Sequence, residues 1–366
     1  MATAGRARGR LRPVRGTRSG DGSAPGTPAG VPPAIPFLRH ELFRERLRAL
    51  DLAIERAVAE SGASVGGGSG VSDAFELLLD GYAQAARAFE AGGLGEVVAR
   101  LLGEARIPEV DAFGYDRAFE ASVAPLFRLL YRDWWRVDVE GLEHVPGTGR
   151  VLLVANHAGG LFAHDGAMLK VAIQDEHPSH RAARPLVDDF VYNLPFVGDF
   201  MTRCGAVRAC PENAERLLRL DEAVVVFPEG TKGIGKLYRE RYKLARFGRG
   251  GFVRIALRTG SPIVPVAIVG SEEIHPVIGR SDWLARLLGL PYFPLTPTFP
   301  WLGLLGAVPL PSKWRIEFGE PIDWRGVHGP EASRDRLLVS RLTEEVRERV
   351  QRQLLGAVER RGPAFR

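Results

Sequence analysis

Cysteine and lysine are scarce in this chain, and long unbroken apolar runs are missing. Two cysteines, Cys204 and Cys210, in 366 residues exclude a disulfide framework and a thiolate-based zinc module. Their six-residue offset is not that of a redox pair, and the expected compartment is a reducing one, the cytoplasm. No stretch of 18 or more apolar residues is free of helix breakers, which argues against an ordinary transmembrane helix. The first thirty residues hold six arginines with no apolar run behind them, a poor secretory signal. Five lysines stand against forty-four arginines, a ratio from which no function follows.

What is present is a large globular complement, 45% hydrophobic and 25% charged, enough to bury a sizeable core. The formal charge of +5 is unevenly placed. Lys232, Lys236, Arg239, Arg241, Lys243, Arg246, Arg249 and Arg254, against Glu240 alone, put +7 into twenty-three residues, and Arg6 to Arg18 add +6. The remainder is acidic, so the positive field is local and points to an anionic partner. Nucleic acid, phosphate-bearing cosubstrates and anionic membrane all satisfy that requirement on charge alone.

Four regions are expected. Residues 1–36, built of Gly, Pro, Ala, Ser, Thr and Arg, read as a disordered arm. Residues 37–132 read as helical: apolar residues recur at three and four from Phe37 to Glu60, a glycine-rich break follows at Val65 to Val71, and helical patterns resume at Ser72 to Glu90, Leu94 to Ala105 and Tyr115 to Trp134. Residues 133–330 change texture. Val137 to Val139, Val151 to Ala155, Pro185 to Val187, Ala223 to Phe227, Ile263 to Val269 and Trp314 to Phe318 read as strands, with helices near Gly166 to Gln174, Glu212 to Arg219 and Gly250 to Arg258 between them. That alternation predicts an α/β domain with a mixed, largely parallel sheet. Residues 331–366 hold a long charged amphipathic helix and a tail.

Two strand ends carry chemistry. Val151 to Ala155 runs into Asn156-His157-Ala158-Gly159-Gly160, with His164 and Asp165 further on, and Val224 to Val226 runs into Phe227-Pro228-Glu229-Gly230-Thr231-Lys232. A histidine leaving a strand for a glycine loop sits in a cleft, and a nearby acid can hold its Nδ1 proton so that Nε2 acts as a base. His177 and His180, three apart, lack acid or thiol neighbours at ligand spacing and read as a surface turn rather than a metal site.

These strings, followed by Ile263-Val264-Pro265-Val266-Ala267-Ile268, resemble the first, third and fourth motif blocks of the glycerolipid acyltransferases, the superfamily that includes lysophosphatidate acyltransferases. Gly205 to Asn213 stands where the second block belongs, and the Gly248 to Arg254 run is most similar to the monoacylglycerol and diacylglycerol acyltransferase branch. The resemblance spans roughly residues 135–320. It implies transfer of an acyl group from a thioester, acyl-CoA or acyl carrier protein, to a hydroxyl of a glycerolipid or lysophospholipid, with no cofactor beyond these cosubstrates and no nucleic-acid partner. His157 becomes the general base and Asp165 its partner, with His164 as competitor. Glu229, Gly230, Thr231, Arg208, Lys232 and Pro265 become candidate substrate-binding residues, with Glu229 either bonding glycerol hydroxyls or pairing with a nearby basic residue. The chain departs from the family pattern twice. The usual acid five residues beyond the histidine is absent, Phe162 standing there and Asp165 eight along, and Pro211 occupies the place of the phosphate-binding arginine of the second block, leaving Arg208 as the nearby cation. A thioesterase or lipid hydrolase using the same pair, and a non-catalytic lipid-binding protein, are the competing readings.

Leu287 to Ser312 is a further landmark, twenty-six residues without a charge and with six prolines. Prolines forbid a transmembrane helix, and such a segment is costly to expose to water. It either covers an acyl groove as a lid or enters a lipid interface, with plain core packing as the bland option. A peripheral membrane protein is the expected setting.

Overall fold

The computed structural model describes residues 109–159, 164–192, 197–288 and 290–365. The arm at 1–36 and residues 37–108 of the helical region at 37–132 lie outside the described residues.

The described chain is built on a seven-stranded sheet in the order β1-β9-β6-β2-β5-β3-β4. Its strands are β1 (Asp138–Glu140), β2 (Val151–Ala155), β3 (Ala183–Val187), β4 (Val207–Arg208), β5 (Ala223–Val226), β6 (Ile263–Val269) and β9 (Arg315–Phe318). Every neighbouring pair is parallel except β6 with β9, where Val266 faces Phe318 and Ile268 faces Ile316. The expected mixed, largely parallel sheet is therefore present. Strands β2, β5 and β6 are buried along their whole length. Their continuous Val, Ile, Leu and Ala runs need cover on both faces, which parallel crossover helices provide.

Side-chain alternation divides the two faces. Leu153, Ala155 and Val225 point into a core with Trp135, Trp314 and helix α2 (Asp165–Glu176), which contributes Met168, Leu169 and Ile173. Leu152, Val154, Val224 and Val226 point the other way. There they meet Leu217 and Leu218 of α5 (Pro211–Arg219), Val253 and Ala256 of α7 (Gly251–Thr259), and Val339, Leu342, Val346 and Val350 of the 26-residue α9 (Arg336–Arg361). Asp335 caps α9 by accepting from the N–H groups of Leu337 and Leu338. Helix α1 (Arg117–Leu129) is capped by Asp116 and runs on as a π-turn over Leu130–Trp134, ending where the sequence pattern predicts. Two short helices, α3 (Asp189–Tyr192) and α4 (Val197–Arg203), lie between β3 and β4.

The sequence reading missed the two-residue β4 and the hairpin of β7 (Gly279–Arg280) and β8 (Pro294–Leu295). Strands this short carry no period to detect. The arrangement that matters for chemistry is the parallel pairing of β2 with β5, Val154 opposite Val226, which releases the loops after Ala155 and after Val226 side by side at one sheet edge.

Candidate active site

His157 leaves the end of β2 and Asp165 begins α2. The eight-residue interval, wider than the family's, still closes. His157 Nδ1 lies 2.7 Å from Asp165 Oδ2, and that carboxylate is fully buried while the imidazole keeps an edge open. Asp165 is further fixed by main chain: Oδ2 accepts the N–H of Ala158 and Oδ1 that of Gly166, each at 2.9 Å. The His157 ring stacks on Phe227, centroids 4.4 Å apart, so the loop after β5 supports the loop after β2. Asn156 pins the loop from beneath by bonding both the N–H and the carbonyl of Ile268 in β6.

His164 does not reach His157 Nδ1 in this arrangement. Its ring lies against Trp135, with centroids 5.1 Å apart, and its pKa is pushed down to about 4 by burial first and by nearby His275 second.

Glu229 stands beside a basic residue, the second of its two expected roles. Its side chain is buried, Oε1 accepts the main-chain N–H of His157 at 2.9 Å, and Oε2 accepts that of Ala245 at 2.6 Å. Lys236 Nζ stands 3.3 Å from Glu229 and 2.9 Å from Glu272. Burial opposes the Lys236 charge, but the two carboxylates outweigh it and hold its pKa above the ordinary lysine value. Glu272 is held above the usual carboxylate range by burial, against the pull of Lys236. One of the eight cations of the basic segment is thus turned inward, away from any anionic partner. Gly233 completes the scaffold: a Cβ there would fall 2.7 Å from the His157 carbonyl and 2.8 Å from Glu229 Cβ, so only glycine lets the one-turn helix α6 (Thr231–Ile234) approach. Glu272 and Gly233 were not singled out beforehand, and Lys236 was named only as one cation of the basic segment. Only the glycine after Thr231-Lys232 was a readable hint.

His157 and Asp165 open onto an apolar cavity of about 640 Å³ that extends along α2 as far as Asp175. Phe127, Val171, Phe200, Met201, Phe227 and Phe252 supply much of its wall, with Gly230 and Thr231 beside the histidine. The other candidates do not line it. Pro265 lies inside the buried β6 opposite Val154, its carbonyl accepting from Gly319, so its part is in the sheet. Arg208 is on the surface with its guanidinium paired to Asp189, and Lys232 is exposed beyond Thr231. Among the described residues that line the cavity the cations are Lys170, joined to Glu120, and Arg128, bonded to Asp175 at 2.7 Å.

No group of His, Cys, Asp and Glu able to hold a metal occurs among the described residues. His177, expected at a surface turn, is buried and bonds the Val145 carbonyl, and His180 bonds that of Gln174. The string Gly62-Ala63-Ser64-Val65-Gly66 matches the spacing of a serine-hydrolase elbow, and it lies outside the described residues.

The family model described as Acyltransferase matches residues 136–269, the stretch that carries both loops. An uncharacterized protein of Mycobacterium tuberculosis, Rv0502, is 51% identical over 246 residues, covering 67% of this chain and 68% of its own length. Phytyl ester synthase 1 of Arabidopsis thaliana is 27% identical across 61% of this chain and 34% of its own. The 1-acyl-sn-glycerol-3-phosphate acyltransferase BAT2 of Brassica napus is 25% identical across 44% of this chain and 46% of its own. With the paired loops at one sheet edge and these relatives, the chain belongs to the glycerolipid acyltransferase superfamily.

Proposed function

We propose that this protein transfers a fatty acyl group from a thioester donor, acyl-CoA or acyl carrier protein, to a hydroxyl of a glycerolipid or lysophospholipid, with His157 as general base. The observation that carries the reading is the 2.7 Å contact of His157 Nδ1 with buried Asp165 at the wall of an apolar cavity. The Nδ1–H of His157 donates a hydrogen bond to Asp165, which leaves Nε2 as the basic nitrogen toward the cavity. Nε2 takes the proton of the acceptor hydroxyl as its oxygen bonds to the thioester carbonyl carbon. The tetrahedral intermediate then expels the thiolate, which recovers the proton from Nε2, so ester and free thiol form one for one. Asp165 stabilises the imidazolium between the two transfers.

The N–H groups of Ala158, Gly230 and Gly233 are bonded to Asp165, Phe227 and Gly230 respectively. Oxyanion donors are therefore to be sought at the remaining groups of the two loops. Glu229 acts by fixing the His157 backbone, and Gly230 and Thr231 stand where an acceptor would lie. Both cavity-lining cations being paired with acids favours an acceptor hydroxyl on an uncharged glycerolipid over one that needs a phosphate held inside the cavity.

The test is turnover of purified full-length protein with acyl-CoA or acyl carrier protein and a panel of acceptors: monoacylglycerol, diacylglycerol and lysophosphatidate. Thiol release and ester formation are measured together. One thiol per ester, dependent on His157, supports the reading. Thiol without ester would make the protein a thioesterase, and neither product would make it a lipid-binding protein.

A further inference from the structure

Residues from Ile278 to Trp301 build a small lobe apart from the two main cores. Ala285 and Phe293 are its buried centre, with Leu284, Leu288, Leu290, Leu295 and Phe299 packed around them. The β7–β8 hairpin and α8 (Asp282–Leu288) form its frame. With those side chains inside, the lobe still exposes Ile278, Trp283, Leu287 and Trp301 at 61%, 60%, 45% and 58%. Trp283 and Leu287 are one turn apart and share a face of α8. The indole N–H of Trp301 donates to the Thr296 carbonyl at 3.0 Å, so the ring is held to the hairpin. None of residues 287–312 described lines the cavity.

Charge accompanies the apolar surface. Exposed Arg280 and Arg286 stand in the lobe against Asp282 alone. The lobe also abuts the basic segment: the N–H of Tyr238 donates to the Val277 carbonyl at 2.8 Å, and exposed Arg239 and Arg241 flank that joint. Tryptophans beside arginines, with few acids, complement a bilayer that offers hydrocarbon below anionic headgroups. We infer that this lobe is the surface on which the protein sits on an anionic lipid bilayer. Trp283, Leu287 and Trp301 enter the headgroup boundary, and Arg239, Arg241, Arg280 and Arg286 meet phosphates. The lobe adjoins the candidate site. The buried His275 ring lies between the Gly159 carbonyl, two residues past His157, at 3.2 Å and the Ala307 carbonyl just after the lobe at 3.0 Å. The purpose of the bilayer contact, presenting a membrane lipid to His157, rests on the acyltransferase reading, whereas the surface itself does not.

Flotation of full-length protein with phosphatidylcholine vesicles, and with mixed phosphatidylcholine and phosphatidylglycerol vesicles, tests it. Trp283→Ser with Trp301→Ser should lower the partition coefficient about tenfold or more on both kinds. Arg280→Glu with Arg286→Glu should lower it on anionic vesicles only, as should added salt. Turnover of a short-chain, water-soluble thioester and alcohol should be unchanged in the tryptophan variant. The inference is overturned if that variant floats like wild type on both vesicles. It is equally overturned if the variant loses thermal stability or changes oligomeric state while keeping vesicle binding, which would mean that the face is covered by another part of this chain or by a second copy. If wild type floats as described yet transfers no acyl group, the acyltransferase reading fails and the surface stands.

Discussion

Glu229 accepts the main-chain N–H of His157 at 2.9 Å, so the loop after β5 fixes the backbone of the residue that the loop after β2 presents to the cavity. The contact predicts a phenotype unlike that of an acceptor-binding residue. Glu229→Ala should destabilise the fold by about 3–5 kcal/mol, because the buried Lys236 loses one of its two carboxylates. It should lower kcat while the KM for the acceptor changes little. Chemical denaturation with steady-state kinetics checks both. A raised KM with unchanged kcat and stability would return Glu229 to the acceptor.

His157→Ala should reduce kcat/KM by about 10²- to 10⁴-fold, the usual range for loss of a general base, with little loss of thermal stability since the ring is a cavity wall. Asp165→Asn should cost less activity. Its amide would set a donor against the N–H of Ala158 or Gly166, so it should cost about 1–3 kcal/mol of stability. Kinetics and melting curves on the two variants separate these effects. More than about a tenth of wild-type turnover in His157→Ala would remove the base assignment.

No acyl-enzyme should accumulate on cysteine. Cys204 lines the cavity, but its thiol pKa is pushed up to about 12, by burial above all, and a neutral thiol is a poor nucleophile. Intact-mass spectrometry of protein quenched during turnover should show no acyl adduct, and Cys204→Ser should keep turnover. An acylated Cys204 would demand a two-step mechanism.

The stability contributed by His164 and His275 should fall as pH drops from about 6.5 to about 4, against an opposite contribution from Glu272 and Glu273, whose pKa values burial raises. Burial lowers the pKa of both His164 and His275, so the unfolded chain binds these protons more readily than the fold does. The stabilisation is therefore complete above the unfolded value of about 6.5 and is lost toward the folded value. For His164, with a folded value of about 4, it amounts to on the order of 3 kcal/mol. Carboxylates held low by arginines, such as Asp175 beside Arg128, contribute only below that window. Denaturation midpoints across pH should show the slope, and His164→Phe should flatten it. An unchanged slope would mean that the ring is already solvated.

Much of the architecture was legible because burial on both faces demands continuous apolar strands. Val151 to Ala155, Ala223 to Val226 and Ile263 to Val269 announce β2, β5 and β6 in one dimension. The Asn-His and Phe-Pro-Glu-Gly-Thr strings at the ends of two of them located the site in the same way. The sequence by itself determined which strands exist and which residues stand at their ends. Which partner each side chain takes was decided by the tertiary structure, since hydrogen bonds depend on loop closure and strand order and not on spacing. The eight-residue interval from His157 to Asp165 left His164 as a competitor until the start of α2 placed the carboxylate at Nδ1. In the sequence Glu229 reads as an acceptor-binding residue or as one half of an ion pair, and Lys236 as a cation for an anionic partner. They face each other because the β5 loop folds back under β2, where a buried charge is stable only when paired. Pro265 and Arg208 carry the right identities in the right order, and sheet register and the Asp189 pairing set them off the cavity.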